Sequence, residues 1–199
     1  MTSDRETEPT RRLVHIPIVH SQADMGSSSE DVRAAYIDLK GPAAWEASRQ
    51  AIADFWHDLE AGLQRLELDF DRVRLYQDGL PVCGHESRIV RDLARAGGAN
   101  YRILLGLMSR GATLEGTEDP ELLLREYQLI KTGFLAEGLE ADWDASNVAA
   151  SLLEQRDRFI ARRIDATLQP GETGILFLGA LHRAVDMLPK SIEVCATES

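Results

Sequence analysis

Short continuous apolar runs alternate along the chain with longer stripes in which apolar residues return every three or four positions. That is the pattern of buried strands separated by amphipathic helices. The first run, LVHIPIVH at 13–20, predicts a strand, and SQADMGSSSED after it is loop chemistry. Pro17 cannot donate to a ladder, so it places this strand at a sheet edge, a bulge or a strand end. Pro42 suits the first turn of a long helix marked by Trp45, Ile52, Phe55, Trp56, Leu59, Leu63 and Leu66. Residues 73–76 predict a second strand, stopped by Asp78-Gly79 and Pro81. Two shorter helices follow, one over about 86–96 and one from Tyr101 to near Gly111, with Gly97-Gly98 between them. Asp119 as N-cap and Pro120 at the first helical position open another helix, which runs to about Thr132. An acidic connector then leads to a last long helix, capped at Ser146 or Asn147 and ending near Leu168. GILFLGALH supplies a strand at 175–178, and 192–194 a short closing one. Strands separated by helices predict a single helix-rich, layered α/β domain over 13–199 with a small, mainly parallel sheet. A polar tail at 1–12 precedes it and is expected to be disordered and dispensable.

Composition narrows the classes of function. A length of 199 residues, 44% hydrophobic and 28% charged, is the balance of one globular domain. Lys and Arg total 22 against 33 Asp and Glu, a net charge of −11 that disfavours nucleic acid and anionic lipid as partners. The best apolar run, 175–181, falls far short of the roughly 20 residues a membrane span needs. The opening MTSDRETEPTRR lacks the apolar centre of a signal peptide. A cytoplasmic chain without a membrane partner is expected. Cys83 and Cys195 lie far apart and outside CxxC spacing, so neither a disulfide framework nor a thiolate metal site is indicated.

Ligands of parallel α/β sheets bind beyond the carboxyl ends of the strands. The residues there are His20, Ser21 and Asp24 after the first strand, and Gln77, Asp78, His85 and Glu86 after the second. Gly179 and His182 follow the strand at 175–178. Imidazoles in such places bind a metal or act as general base. A plain hydrogen bond to a loop carbonyl is as compatible with His20 and His182, and is the favoured reading for His15 and His85, while His57 faces solvent. His85-Glu86 lacks the second histidine of HExxH, and GxGxxG, P-loop and GxSxG patterns are absent.

Projection of the last helix places Arg156 and Arg163 among Val148, Leu152, Leu153, Phe159, Ile160 and Ile164. An arginine on an apolar face needs a carboxylate, an anion or a rim to reach over. Glu126 stands in the same way among Leu122, Leu123, Tyr127 and Ile130. A buried Glu126–arginine pair is the structural explanation, and an anion-binding or catalytic pocket the functional one. Gly116-Thr117-Glu118 reads as capping chemistry ahead of a helix rather than as a site. Cys83 reads as a buried structural thiol despite its nearness to His85.

The PIVH that ends the first strand, Gln155-Arg156-Asp157 in the last helix and Gly179-Ala180-Leu181-His182 together resemble the two GxxH motifs and intervening arginine motif of the TraB/Tiki superfamily. That grouping is similar in layout to ChaN and erythromycin-esterase-like proteins. Pro17 stands where the first motif has glycine. The resemblance implies metal-dependent hydrolysis, with His20 and His182 at a divalent metal and Arg156 in the wall of the site. With the residues read above, the expected pocket comprises His20, Asp24, Asp78, Glu126, Arg156, Arg163 and His182. Asp78 or Glu126 would serve as general base, and Asp24, Arg156 and Arg163 would contact a small-molecule substrate or ligand. Asp24 and Asp78 are the expected partners for the second nitrogens of the histidines. The alternatives are a non-enzymatic module that holds an anionic small ligand on the same arginines, and a homodimeric interaction protein.

Overall fold

Eleven strands and helices are ordered in the computed structural model, which describes residues 10–18, 29–65, 67–131 and 143–196. They are β1 (Arg11–Ile18), α1 (Ser29–Lys40), α2 (Pro42–Arg65), β2 (Val73–Gln77), α3 (Glu86–Arg95), α4 (Ala99–Ser109), β3 (Thr113–Glu115), α5 (Pro120–Lys131), α6 (Trp143–Thr167), β4 (Thr173–Gly179) and β5 (Ile192–Ala196). The strands form one sheet in the order β3-β2-β4-β1-β5, every pair parallel. The protein is therefore a helix-rich α/β domain, as the alternating pattern predicts. No helix among the described residues is long and apolar enough to cross a membrane.

Alternate residues of each strand serve two cores, because side chains along a strand point to opposite faces. On one face Ile16, Ile18, Val73, Leu75, Ile175 and Phe177 pack against Trp56 and Leu63 of α2, Val90 of α3, and Ile103, Leu104 and Leu107 of α4. On the other, Leu13, Tyr76, Leu176 and Leu178 meet Ile160 and Ile164 of α6 and Leu168 just beyond it. Each such side chain is worth about 1.5–3 kcal/mol when fully buried, so the apolar stripe of α6 fixes which way that helix faces. Consequently Arg156, in the middle of the stripe, is carried inward. Gly174 leaves room on this face for the side chains of the neighbouring strands: a Cβ there would lie 2.6 Å from Leu13 Cδ1 and 3.2 Å from Tyr76 Cε2.

Several details refine the sequence expectations. β1 is an interior strand between β4 and β5, and of the three places open to Pro17 it is the strand end that is realised, one residue before Ile18. Pro17 is accommodated because β5 pairs with β1 only as far as His15, so the missing N–H breaks no described bond on that side. β1 also begins at Arg11, two residues inside the expected tail, and Arg11 Nη1 donates to Asp165 Oδ1 at 2.9 Å. Residues 1–9 lie outside the described residues. α1 and the three-residue β3 were not foreseen, and α6 begins at Trp143, before the expected cap.

Candidate functional site

Asp78 follows β2 directly, and its own N–H continues the ladder to the Phe177 carbonyl at 2.8 Å. Its Oδ2 accepts the Gly179 N–H at 2.9 Å, which ties the ends of β2 and β4 together. The chain then turns through Gly79, whose φ of +72° suits glycine. The Gly79 N–H donates to Glu118 Oε1 at 2.9 Å. Glu118 is brought here by an extended stretch after β3. Thr117 and Glu118 both donate their N–H to the Leu80 carbonyl, at 2.9 and 3.0 Å, and Thr117 Oγ1 accepts the Gln77 N–H. Gly116 begins that stretch in a gap too small for a side chain, since a Cβ would lie 2.7 Å from Val82 Cα. Glu118 is wholly buried. It therefore takes no part in capping: Asp119, the expected N-cap, caps α5, its Oδ1 accepting the Glu121 N–H at 2.8 Å.

Arg156 of α6 fills the space between these carboxylates and is 5% exposed. Nε and Nη2 form a two-pronged pair with Glu118 Oε2 and Oε1, each at 2.6 Å, and Nη2 also reaches Asp78 Oδ1 at 3.0 Å. Nη1 bonds Glu126 of α5. The expected Glu126–Arg156 pair thus exists, but Glu126 is 36% exposed and is the outermost of the three carboxylates rather than a buried partner. His182 completes the cluster. The turn after β4, closed by the His182 N–H on the Gly179 carbonyl at 3.1 Å, sets its ring between Asp157 and Asp78. Nδ1 lies 2.6 Å from Asp157 Oδ1, and Nε2 lies 3.6 Å from Asp78 Oδ1.

Four carboxylates, Asp78, Glu118, Glu126 and Asp157, therefore face one guanidinium and one imidazole in a largely buried space. Burial would raise the Asp78 pKa, but His182, Glu118 and Arg156 hold it well below the usual carboxylate range. Burial wins at Glu118 and raises its pKa despite the Arg156 pair. At His182 burial pulls the pKa down, and Asp78 together with Asp157 outweighs it, leaving the ring more basic than ordinary. Asp78, Glu118 and His182 can each present one ligating atom with all three within 4.8 Å of one another. Each carboxylate oxygen carries two lone pairs, so the bonds to Arg156 leave capacity for a cation. Oxygen donors with one imidazole and an excess of negative charge suit a divalent ion such as Mn2+ or Zn2+.

Of the residues proposed from the sequence, Asp78, Glu126, Arg156 and His182 converge. His20 and Asp24 lie outside the described residues, although β1 and β4 are neighbours, with Ile18 in register with Gly179. Arg163 belongs elsewhere: it donates to the Gly116 carbonyl at 2.9 Å and to Glu115 Oε2 at 3.0 Å, bracing the segment that carries Glu118. Nδ1 of His182 is partnered by Asp157, while Asp78, one of the two expected partners, stands 3.6 Å from Nε2 and the other, Asp24, lies outside the described residues. Asp157 was missed although it follows Leu153 and precedes Ile160 at helical spacing, which puts it on the same inward face as Arg156. Cys83 is exposed rather than buried, and His57 is exposed as expected. Compared with known proteins, the chain matches no family model, no curated protein and no solved structure.

Proposed function

We propose that the protein is a metal-dependent hydrolase of a small molecule, with its site beyond the carboxyl ends of β2 and β4. The observation that carries this reading is the convergence of Asp78, Glu118 and His182 in a buried cluster with more carboxylates than cations. These three side chains would hold a divalent cation. Bound there, the ion would supply Lewis acidity, making a carbonyl or phosphoryl group more electrophilic and a water more acidic. Arg156 keeps Glu118 and Asp78 aimed and offsets part of their mutual repulsion. Glu126, the carboxylate open to solvent, would take a proton from the attacking water. The resemblance to TraB/Tiki proteins points to the same chemistry and to the same His182 and Arg156. The acidic composition favours a small-molecule substrate over nucleic acid.

An anionic ligand on Arg156 and Arg163 has less support. All three guanidinium nitrogens of Arg156 already face carboxylates, and Arg163 is engaged by Glu115 and Gly116. The test is a Mn2+ titration followed by thermal unfolding, joined to ester, peptide and phosphate hydrolysis with and without a chelator. Saturating Mn2+ should raise the melting temperature, since an ion that binds only the folded state stabilises it. Glu126→Gln should keep that shift and lose turnover. Absence of both the shift and chelator-sensitive turnover refutes the proposal.

A further inference from the structure

We infer that Asp157 is a positioning residue that fixes the tautomer of His182, holding the ring proton on Nδ1 so that Nε2 presents its lone pair to the space shared with Asp78 and Glu118. The two nitrogens have unequal partners. Nδ1 is 2.6 Å from Asp157 Oδ1, a full hydrogen bond, whereas Nε2 is 3.6 Å from Asp78 Oδ1, beyond hydrogen-bond reach. An ionised carboxylate only accepts, so the 2.6 Å contact needs a proton on Nδ1. Asp157 is itself locked: its Oδ2 accepts the Arg183 N–H at 2.9 Å and the residue is buried. It leaves α6 one position after Arg156, so a single helix sets both the guanidinium that aims Glu118 and the carboxylate that aims His182. The Arg183 contact adds a second constraint, because the turn carrying His182 is tied to the same carboxylate from its next residue. A histidine at a metal centre is commonly oriented through its other nitrogen in this way.

The inference rests on the hydrolase reading only for the use made of Nε2. The proton's position is a separate matter and can be measured in the cation-free protein. Nitrogen-15 NMR of histidine-labelled protein, at a pH where the His182 ring carries one proton, should show Nδ1 protonated and Nε2 bare. Asp157→Asn is the discriminating variant. Its single amide oxygen is claimed by the Arg183 N–H, so the NH2 faces Nδ1 as a donor and the ring proton should move to Nε2. A Mn2+ titration followed by electron paramagnetic resonance should then show affinity weakened about tenfold or more. Nε2 protonation of His182 in the unsubstituted protein overturns the inference, and that measurement stands whether or not the variant folds. A folded Asp157→Asn protein with the tautomer unchanged overturns it too. Nδ1 protonation in a protein that binds no Mn2+ supports the assignment to Asp157 and refutes the hydrolase reading.

Discussion

Replacing Arg156 by methionine keeps most of the side-chain volume and removes the one guanidinium between Asp78 and Glu118. The remaining partners of these carboxylates are unequal. Asp78 retains the Gly179 N–H and a small opening to solvent, while Glu118 keeps only the Gly79 N–H and has no access to solvent. The cheapest response for the folded variant is to protonate Glu118. Starting from an ordinary glutamate pKa, this costs about 3.7 kcal/mol at roughly pH 7 and about 1.4 kcal/mol at roughly pH 5.3. The neutral-pH figure agrees with the 3–5 kcal/mol typical of breaking a buried ion pair from one side. The sign follows from linkage: a carboxyl whose folded pKa is raised above its unfolded value destabilises increasingly as the pH climbs past the unfolded value. Urea unfolding of both proteins at the two pH values measures the deficit, which should shrink by more than half on acidification. Adding Glu118→Leu to the methionine variant should recover part of the loss at neutral pH. A deficit under about 1 kcal/mol at neutral pH, or one that is the same at both pH values, refutes the assignment of Glu118 as the dependent partner.

Glu126→Gln should cost less than about 1 kcal/mol in the same assay, because its carboxylate is partly solvated and Arg156 keeps two other partners; a larger loss would make Glu126 structural. Gly116→Ala should lower stability by about 1–3 kcal/mol, since the new Cβ meets the backbone of Pro81 and Val82, which cannot rotate away. It should also weaken Mn2+ binding by displacing Glu118 two residues on, and a neutral result would show that the segment yields. Burial would raise the Glu172 pKa, but Arg74, at 2.5 Å, and the Gln169 N–H outweigh it and lower it. Its stabilisation is present above the unfolded pKa and fades as the pH falls through the folded one. Melting temperature against pH should therefore fall less steeply on the acid side in Glu172→Gln, and an unaltered slope would remove Glu172 from the account.

The helices and the central strands were legible because burial imposes period on sequence. α6 announced its inward face through Leu152, Ile160 and Ile164, and the same projection exposed Arg156 as a charge in an apolar place. Glu126 was found by that logic, which cannot tell a buried side chain from one at the rim of a helix contact. Glu118 escaped because glycine, threonine and acidic residues before a helix look alike whether they cap it or enter a site, and only the pairing of 117 and 118 with Leu80 decides between the two. β3 is three residues long and has no period to read. The interior position of β1 was hidden by Pro17, whose missing N–H normally argues for an edge. Here the partner strand stops short of it.

The order of strands in the sheet differs from their order of synthesis. β1 is made early, yet its only described neighbours are β4 and β5, supplied by residues 173–196. At the roughly 5–20 residues per second of translation, the ribosome needs about 8–30 s to travel from the end of β1 to the start of β4. Throughout that interval Leu13, Ile16 and Ile18, all destined for complete burial, have no ladder to join. β2 and β3 with the helices between them can associate earlier, but the sheet's centre must wait for the carboxyl-terminal strands. Folding should accordingly be late, dominated by contacts distant in sequence, and slow for a helix-rich domain. The same dependence means that Asp78 is anchored to Gly179, and His182 brought to Asp157, only in that final step, so that the cluster does not exist in any nascent chain shorter than β4.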